Sequence, residues 1–233
     1  MTAGISTANL AKTRPLAGLH AGLQAALDSS LHVERQDGMH ARLQPLLQHN
    51  LQAHCQLFAG LQALAHDICA AALMLTDTIA RGGRIFFFGN GGSASDSLHL
   101  AAEFTGRLRQ ERQPLAAMAL NADSAALTAI ANDYGYAEVF ARQLAALGRR
   151  GDCAVGISTS GHSPNVLRAL EVARNMDIST VGLLGRDGGA AKPLVDCAVV
   201  VPHEDSARIQ EAHIFIGHTW CGQVENALGL VPY

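Results

Sequence analysis

His99 and Glu103 stand four residues apart within the run RIFFFGNGGSASDSLHLAAEFTGR at 84–107. On a helix that spacing puts both side chains on one face, where an imidazole nitrogen and a carboxylate can chelate a divalent metal. Asp96, three residues before His99, could orient the imidazole or move a proton, and it also fits as a first-turn acid favoured by the helix dipole. Further donors lie far along the chain. Gln210 and His218 share a predicted helix over 206–228, but eight residues span about 12 Å of axis. One metal touches both only if the side chains lean together or one comes from another subunit. His213, three residues from Gln210, competes with His218, and spacing does not choose between them. Arg208 and Glu211 read as solvated or paired helix charges.

Two other stretches suit an anion. Residues 85–88 are short, apolar and aromatic, as a buried strand is. Gly89, Gly91 and Gly92, with Asn90 among them, let the backbone turn sharply and approach a ligand closely. Ser93 falls where a helix N-cap is expected, and a helix N-terminus offers free N–H groups to an anion. Ser158, Thr159, Ser160 and Ser163 precede Pro164, which suits a first helical position. Hydroxyls beside free N–H groups recognise a phosphate without needing lysine. The glycine spacing is not G-x-G-x-x-G and no acid ends the next strand, so a dinucleotide site is not expected.

These residues need elements to hold them. Strands are predicted at 85–88, 115–120, 152–157, 178–184 and 197–201. Helices are predicted at 94–104, 123–131, 137–147, 164–176 and 206–228, with Asn132-Asp133-Tyr134-Gly135 as a loop. Such alternation implies an α/β fold with a five-stranded parallel doubly wound sheet of flavodoxin-like type, and ligands at the carboxyl ends of its strands. Upstream, leucines at 16, 19, 23, 27 and 31 predict a helix over 16–31, which Asp37-Gly38 should break. A second helical stretch covers 40–80 and ends at Gly82-Gly83. Its stripe of Leu57, Leu61, Leu64, Ile68, Ala71, Ala72 and Ile79 suits either the core or a subunit interface. The expected division is an N-terminal helical or partly ordered extension over 1–40 and one domain over 41–233.

The 233 residues include 48% hydrophobic types, enough for one sizeable core plus helical additions. A net charge of -3 argues against a nucleic-acid-binding surface. Five cysteines at 55, 69, 153, 197 and 221 form no C-x-x-C pair, as a reducing compartment allows. Lys12, Arg14 and His20 interrupt any leader-like apolar run, and no segment is expected to approach membrane-spanning length. The expectation is a cytoplasmic protein with no membrane and no nucleic-acid partner.

Five motifs in order, GNGGSASD (89–96), H-x-x-x-E (99–103), ANDYGY (131–136), GISTSG (156–161) and RIQEAH (208–213) with His218, resemble the phosphoheptose isomerases of the sugar-isomerase (SIS) fold. The likeness spans roughly 45–230. It implies an aldose–ketose isomerase that converts sedoheptulose 7-phosphate to D-glycero-D-manno-heptose 7-phosphate through an enediol, the first step of ADP-heptose biosynthesis for lipopolysaccharide. It also implies a homotetramer with active sites at subunit interfaces and one zinc per subunit. Carried over by motif, the zinc ligands are His99, Glu103, Gln210 and His218, so the resemblance prefers His218 to His213. Glu103 is implied as base and His218 as general acid. The phosphorylated seven-carbon sugar would touch Asn90, Gly91, Gly92, Glu103, Asn132, Asp133, Ser158, Thr159, Ser160, Ser163 and Gln210, with Ser93 beside the phosphate. His162 and Ala207 depart from the family pattern, which bears on fine specificity. Two readings compete: a non-catalytic SIS protein that binds a replication initiator, and a sugar-phosphate-sensing module. The initiator-binding type lacks the acid at 103 and the histidine at 218, and this chain keeps both.

Overall fold

The structure is a computed structural model that describes residues 33–232. The helix expected over 16–31 lies outside the described residues. The first helix, α1 (Val33–Gly60), runs straight through Asp37-Gly38 and Pro45, so the local breakers are overridden. Met39, Leu43, Leu46, Leu47 and Leu51 on it are exposed. Compact units divide after Gln52, and the sheet belongs to the second, from Ala53 onward.

A one-turn 3₁₀ segment, Leu61–Leu64, leads into α2 (Ala65–Ala80), which Gly82 ends with a positive φ of 77°. The sheet then builds from β1 (Ile85–Gly89), β2 (Ala117–Ala119), β3 (Cys153–Ser158), β4 (Ser179–Gly185) and β5 (Cys197–Val201). Every neighbouring pair is parallel and the order is β2-β1-β3-β4-β5, the flavodoxin-like winding expected from the alternation. β2 is shorter than the predicted 115–120. Beyond it, Asn121 takes over the pairing by donating its side-chain amide to the Gly89 carbonyl at 2.8 Å.

The helices between strands are α3 (Gly92–Thr105), α4 (Ser124–Tyr134), α5 (Ala141–Leu147) and α6 (Pro164–Asn175), with α7 (Ser206–Ala227) after β5. The predicted helix over 137–147 is really a 3₁₀ turn, Tyr136–Glu138, followed by α5. β1 explains why both faces are covered. Ile85 and Phe87 point into one apolar cluster, with Leu75 of α2, Leu100 and Phe104 of α3 and Trp220 of α7. Phe86 and Phe88 point into the other, with Leu144 of α5 and Val166 and Leu170 of α6. A strand buried on both faces reads as a continuous apolar run, as residues 85–88 do.

The apolar stripe resolves in part toward the core, since Leu57, Leu61, Ile68, Ala71 and Ala72 are buried there. One expectation about this region needs correcting. Among the described residues, the helical stretch Met39–Ala80 contains a window apolar enough to cross a membrane, with mean hydropathy 1.5. Its α2 portion spends that apolarity on the sheet, where Ala71 and Leu75 are fully buried.

Candidate active site

Strand order reverses beside β1 and β3, and in open α/β sheets the crevice at that reversal is where ligands bind. The loop leaving β1 there turns on Gly91, whose φ of 57° is left-handed and whose position is the N-cap of α3. Ser93 is therefore not the cap. It lies within the first turn, buried, with its Cβ packed so tightly on Gly89 that a Cβ there would lie 2.8 Å away. Asn90 is also committed. Its amide forms a reciprocal pair with buried Asn165, each Nδ2 donating to the other's Oδ1 at 2.8 Å, and it accepts from the Tyr136 hydroxyl at 3.2 Å.

The loop leaving β3 gathers hydroxyls. Ser158 Oγ lies 3.3 Å from Ser163 Oγ and 3.5 Å from Ser160 Oγ, and it accepts the Gly161 N–H at 3.0 Å. The His162 N–H donates to Ser160 Oγ at 3.2 Å. α6 starts directly behind, with Ser163 as N-cap and Pro164 as its first residue. Ser206 at the start of α7 donates to Thr159 Oγ1 at 3.4 Å.

α7 then crosses α3. At the crossing, Gly217 has no room for a side chain, since a Cβ would lie 2.5 Å from Leu100 Cδ2. That close approach puts the next residue, His218, against the one before Leu100, His99. Their Nε2 atoms are 2.8 Å apart. Glu103 Oε1 lies 3.4 Å from His99 Nε2, and one donor atom from each of the three residues falls within 4.8 Å of the others. Glu103 Oε2 is buried with no hydrogen-bond partner. Two imidazole nitrogens this close need one proton or one cation between them. With a stranded carboxylate oxygen beside them, the donor set fits a divalent metal. Gln210, one turn past the start of α7, folds its amide over Gly92, where a Cβ would lie 2.5 Å from Nε2.

Electrostatics follow from burial. His218 is pushed below the ordinary histidine range by desolvation and by His99, with Glu103 opposing. Asp96 is pushed up to about 6 by desolvation, with His99 opposing, and its Oδ2 is buried without a partner. Burial also holds the Cys221 thiol protonated.

Residues 49–185 match the family model of the SIS domain. A phosphoheptose isomerase of Helicobacter pylori strain P12 is 50% identical over 181 residues, 77% of this chain and 94% of that protein. The solved phosphoheptose isomerase of Neisseria gonorrhoeae aligns with a TM-score of 0.72 at 40% identity, covering 81% of this chain and 99% of that one. The chain belongs to the phosphoheptose isomerases. A relative from Paramagnetospirillum magneticum reaches 58% identity over 149 residues, 64% of this chain and 78% of that protein.

Two of the expected phosphoheptose contacts lie on a helix. Asn132 and Asp133 sit in the last turn of α4, not in a loop, because nothing ends that helix before Gly135 with its φ of 89°. Both are exposed and hydrogen-bond each other at 2.8 Å. Arg208 and Glu211 are paired at 2.6 Å, and Glu211 also accepts from or shares a proton with His54 Nδ1 at 2.8 Å. Residue types and spacing gave no hint of Asn165 or Gly217, and Tyr136 stood only as the last residue of the ANDYGY motif. Each matters only through a partner far along the chain.

His213 proves to be structural. Five residues before His218, it lies about 140° around the helix, fully buried, with Nε2 3.1 Å from the Leu184 carbonyl. Burial lowers its pKa from 6.5 to about 4. The folded state therefore holds it neutral, and the associated stability is present above pH 6.5 and lost as pH falls toward 4. Urea midpoints should show ~2 kcal/mol of stability lost from this group between pH 7 and pH 5, with a flatter profile in His213→Gln.

Proposed function

We propose that the chain interconverts sedoheptulose 7-phosphate and D-glycero-D-manno-heptose 7-phosphate through a cis-enediol. The observation that carries the reading is the meeting of His99, Glu103 and His218 at one point, on helices whose other residues reach the glycine turn and the serine loop. A ketose–aldose isomerisation moves one proton between C1 and C2 and another between their oxygens. It needs a base for carbon, an acid for oxygen and a fixed phosphate.

The chain supplies each part. The hydroxyls of Ser158, Ser160 and Ser163, beside the start of α6, cradle the 7-phosphate, with Ser93 beside it and the glycine turn 91–92 close to the sugar chain. Glu103 is the base for carbon, and its unpartnered Oε2 is the oxygen free to take the proton. His218 serves the oxygen protons; burial and His99 hold its pKa below the ordinary histidine range, which favours the neutral imidazole there. Asn132 and Asp133 would reach the substrate only from their exposed place on α4. Zinc, one per subunit, would be held by His99, Glu103, Gln210 and His218, and would supply Lewis-acid chemistry at the substrate carbonyl. Because Glu103 has two oxygens, one can face the histidine pair while the other does proton work.

The reading extends to a homotetramer with sites at subunit interfaces, supported by the exposed Leu43, Leu46, Leu47 and Leu51 and by exposed Leu73 and Phe215. Five unpaired cysteines support a cytoplasmic setting, where the product would enter ADP-heptose biosynthesis. The initiator-binding alternative gains nothing, since both residues it lacks are present and converge.

A coupled assay on sedoheptulose 7-phosphate, with and without chelator, tests the function. Turnover that chelation removes and metal restores is expected; no turnover with metal supplied would sink the reading. A finer check is Gly92→Ala. The new Cβ meets the end of a flexible side chain, so Gln210 swings away while the helix start gains a better helix former. Turnover should fall at least about tenfold with little change in thermal midpoint.

A further inference from the structure

A second concentration of chemistry lies at the other end of the sheet. Two tight turns meet there. Residues 81–84 (Arg-Gly-Gly-Arg) lead into β1, and residues 149–152 (Arg-Arg-Gly-Asp) lead into β3. Gly82 and Gly151 hold positive φ angles of 77° and 94°, and Gly83 is pressed against the Gly151 carbonyl so closely that no side chain fits. Buried Asp152 locks the turns together. Its Oδ1 accepts the Arg84 backbone N–H at 2.8 Å, and its Oδ2 accepts the Arg149 backbone N–H at 2.9 Å and Arg84 Nη2 at 3.0 Å. Arg84 Nη2 also donates to the Leu147 carbonyl at 2.7 Å. The result is a rigid cavity of about 180 Å³ lined by Arg81, Arg84, Arg149 and Arg150, the paired glycines and Asp152.

The charge there is out of balance. Arg81 is paired with Asp77 and Arg84 with Asp152, whereas the ion pairs among the described residues use neither Arg149 nor Arg150. Four guanidiniums less two carboxylates leave 4 − 2 = +2, on a chain whose net charge is -3. Like charges gathered around one concavity repel, and an anion relieves that repulsion. Guanidinium forks match phosphate oxygens with paired hydrogen bonds. The cavity is smaller than the roughly 300–1,000 Å³ of drug-sized sites, so it suits a phosphate group rather than a whole nucleotide. The backbone is already fixed, so little ordering is needed on binding.

We propose that this cavity is a second anion site, separate from the serine loop, that takes a small polyanion of the diphosphate class. It does not depend on the isomerase reading. The test is calorimetric titration of pyrophosphate into the full chain at low salt, on four proteins: the wild type, Arg149→Ala/Arg150→Ala, Arg168→Ala/Arg174→Ala and Ser158→Ala/Ser160→Ala. Metal content is matched among them so that chelation cancels in the comparison. Arg149→Ala/Arg150→Ala should weaken one class of binding at least about tenfold and keep wild-type isomerase activity. The serine variant should retain that class. Arg168 and Arg174 are exposed on α6 and do not line the cavity, so their removal should leave it unchanged. Unaltered binding in Arg149→Ala/Arg150→Ala, an equal loss in the α6 variant, or loss of all binding in the serine variant each overturns the proposal.

Discussion

Glu103→Gln should lower turnover of sedoheptulose 7-phosphate by about 10³-fold, within the range that one general acid or base contributes. The side chain keeps its size, so packing beside buried Cys221 and under α7 is preserved, and a thermal midpoint close to wild type is the control. What changes is the atom at the end. An amide nitrogen cannot accept a proton from carbon, and it is a poor donor of electrons to a metal. Metal content measured on the same preparation separates the two roles. Metal retained with turnover lost assigns Glu103 as base; both lost together makes it first a ligand. His218→Gln tests the acid in the same way. A folded variant of either kind with near wild-type turnover refutes the role given to that residue.

The second large effect concerns stability. Arg112 and Glu225 form an ion pair at 2.8 Å with side chains only 1% and 3% exposed. The same guanidinium donates to the carbonyls of Glu103, Phe104 and Gly106, at 2.8, 2.8 and 2.9 Å. It thus closes the C-terminal end of α3, where the last carbonyls of a helix lack partners. Arg112→Ala should cost about 3–5 kcal/mol, because it leaves Glu225 buried and unpaired and frees those carbonyls. Urea unfolding measures it. Arg112→Met with Glu225→Leu should recover much of the loss, since replacing both charges removes the uncompensated one. A loss under 1 kcal/mol in Arg112→Ala would mean that water reaches Glu225.

The parallel sheet was legible because residues 85–88, 153–157 and 181–184 run apolar on both faces, as strands covered on both sides do. Motifs on single turns were legible too, as with His99 and Glu103. Harder cases turned on backbone or on distance. Gly91 takes a left-handed turn and caps α3 two residues before the serine that a capping rule would choose. Asn132 and Asp133 look like loop residues, yet a helix continues until something stops it, and Gly135 is the first residue that does. The choice between His213 and His218 is invisible in spacing, because it depends on which side of α7 lies on β4. Asn165 reads as an ordinary residue of the first helical turn until β1 and β3 lie side by side.

α7 carries Ser206 to the serine loop, Gln210 to the glycine turn and His218 to α3, with no loop between them. These reach over 218 − 206 = 12 residues, or about 18 Å of rigid rod. The helix is therefore a ruler with both a length and a phase. A single residue inserted between Gln210 and His218 would turn everything downstream by about 100°, swinging the imidazole off α3 and bringing a different side of the rod onto the sheet. The shortest insertion that closely restores the phase is about seven residues, two full turns, and it then overshoots α3 by about 10 Å. Gly217 apart, point changes along α7 can be absorbed one side chain at a time. Changes in its residue count between those positions cannot.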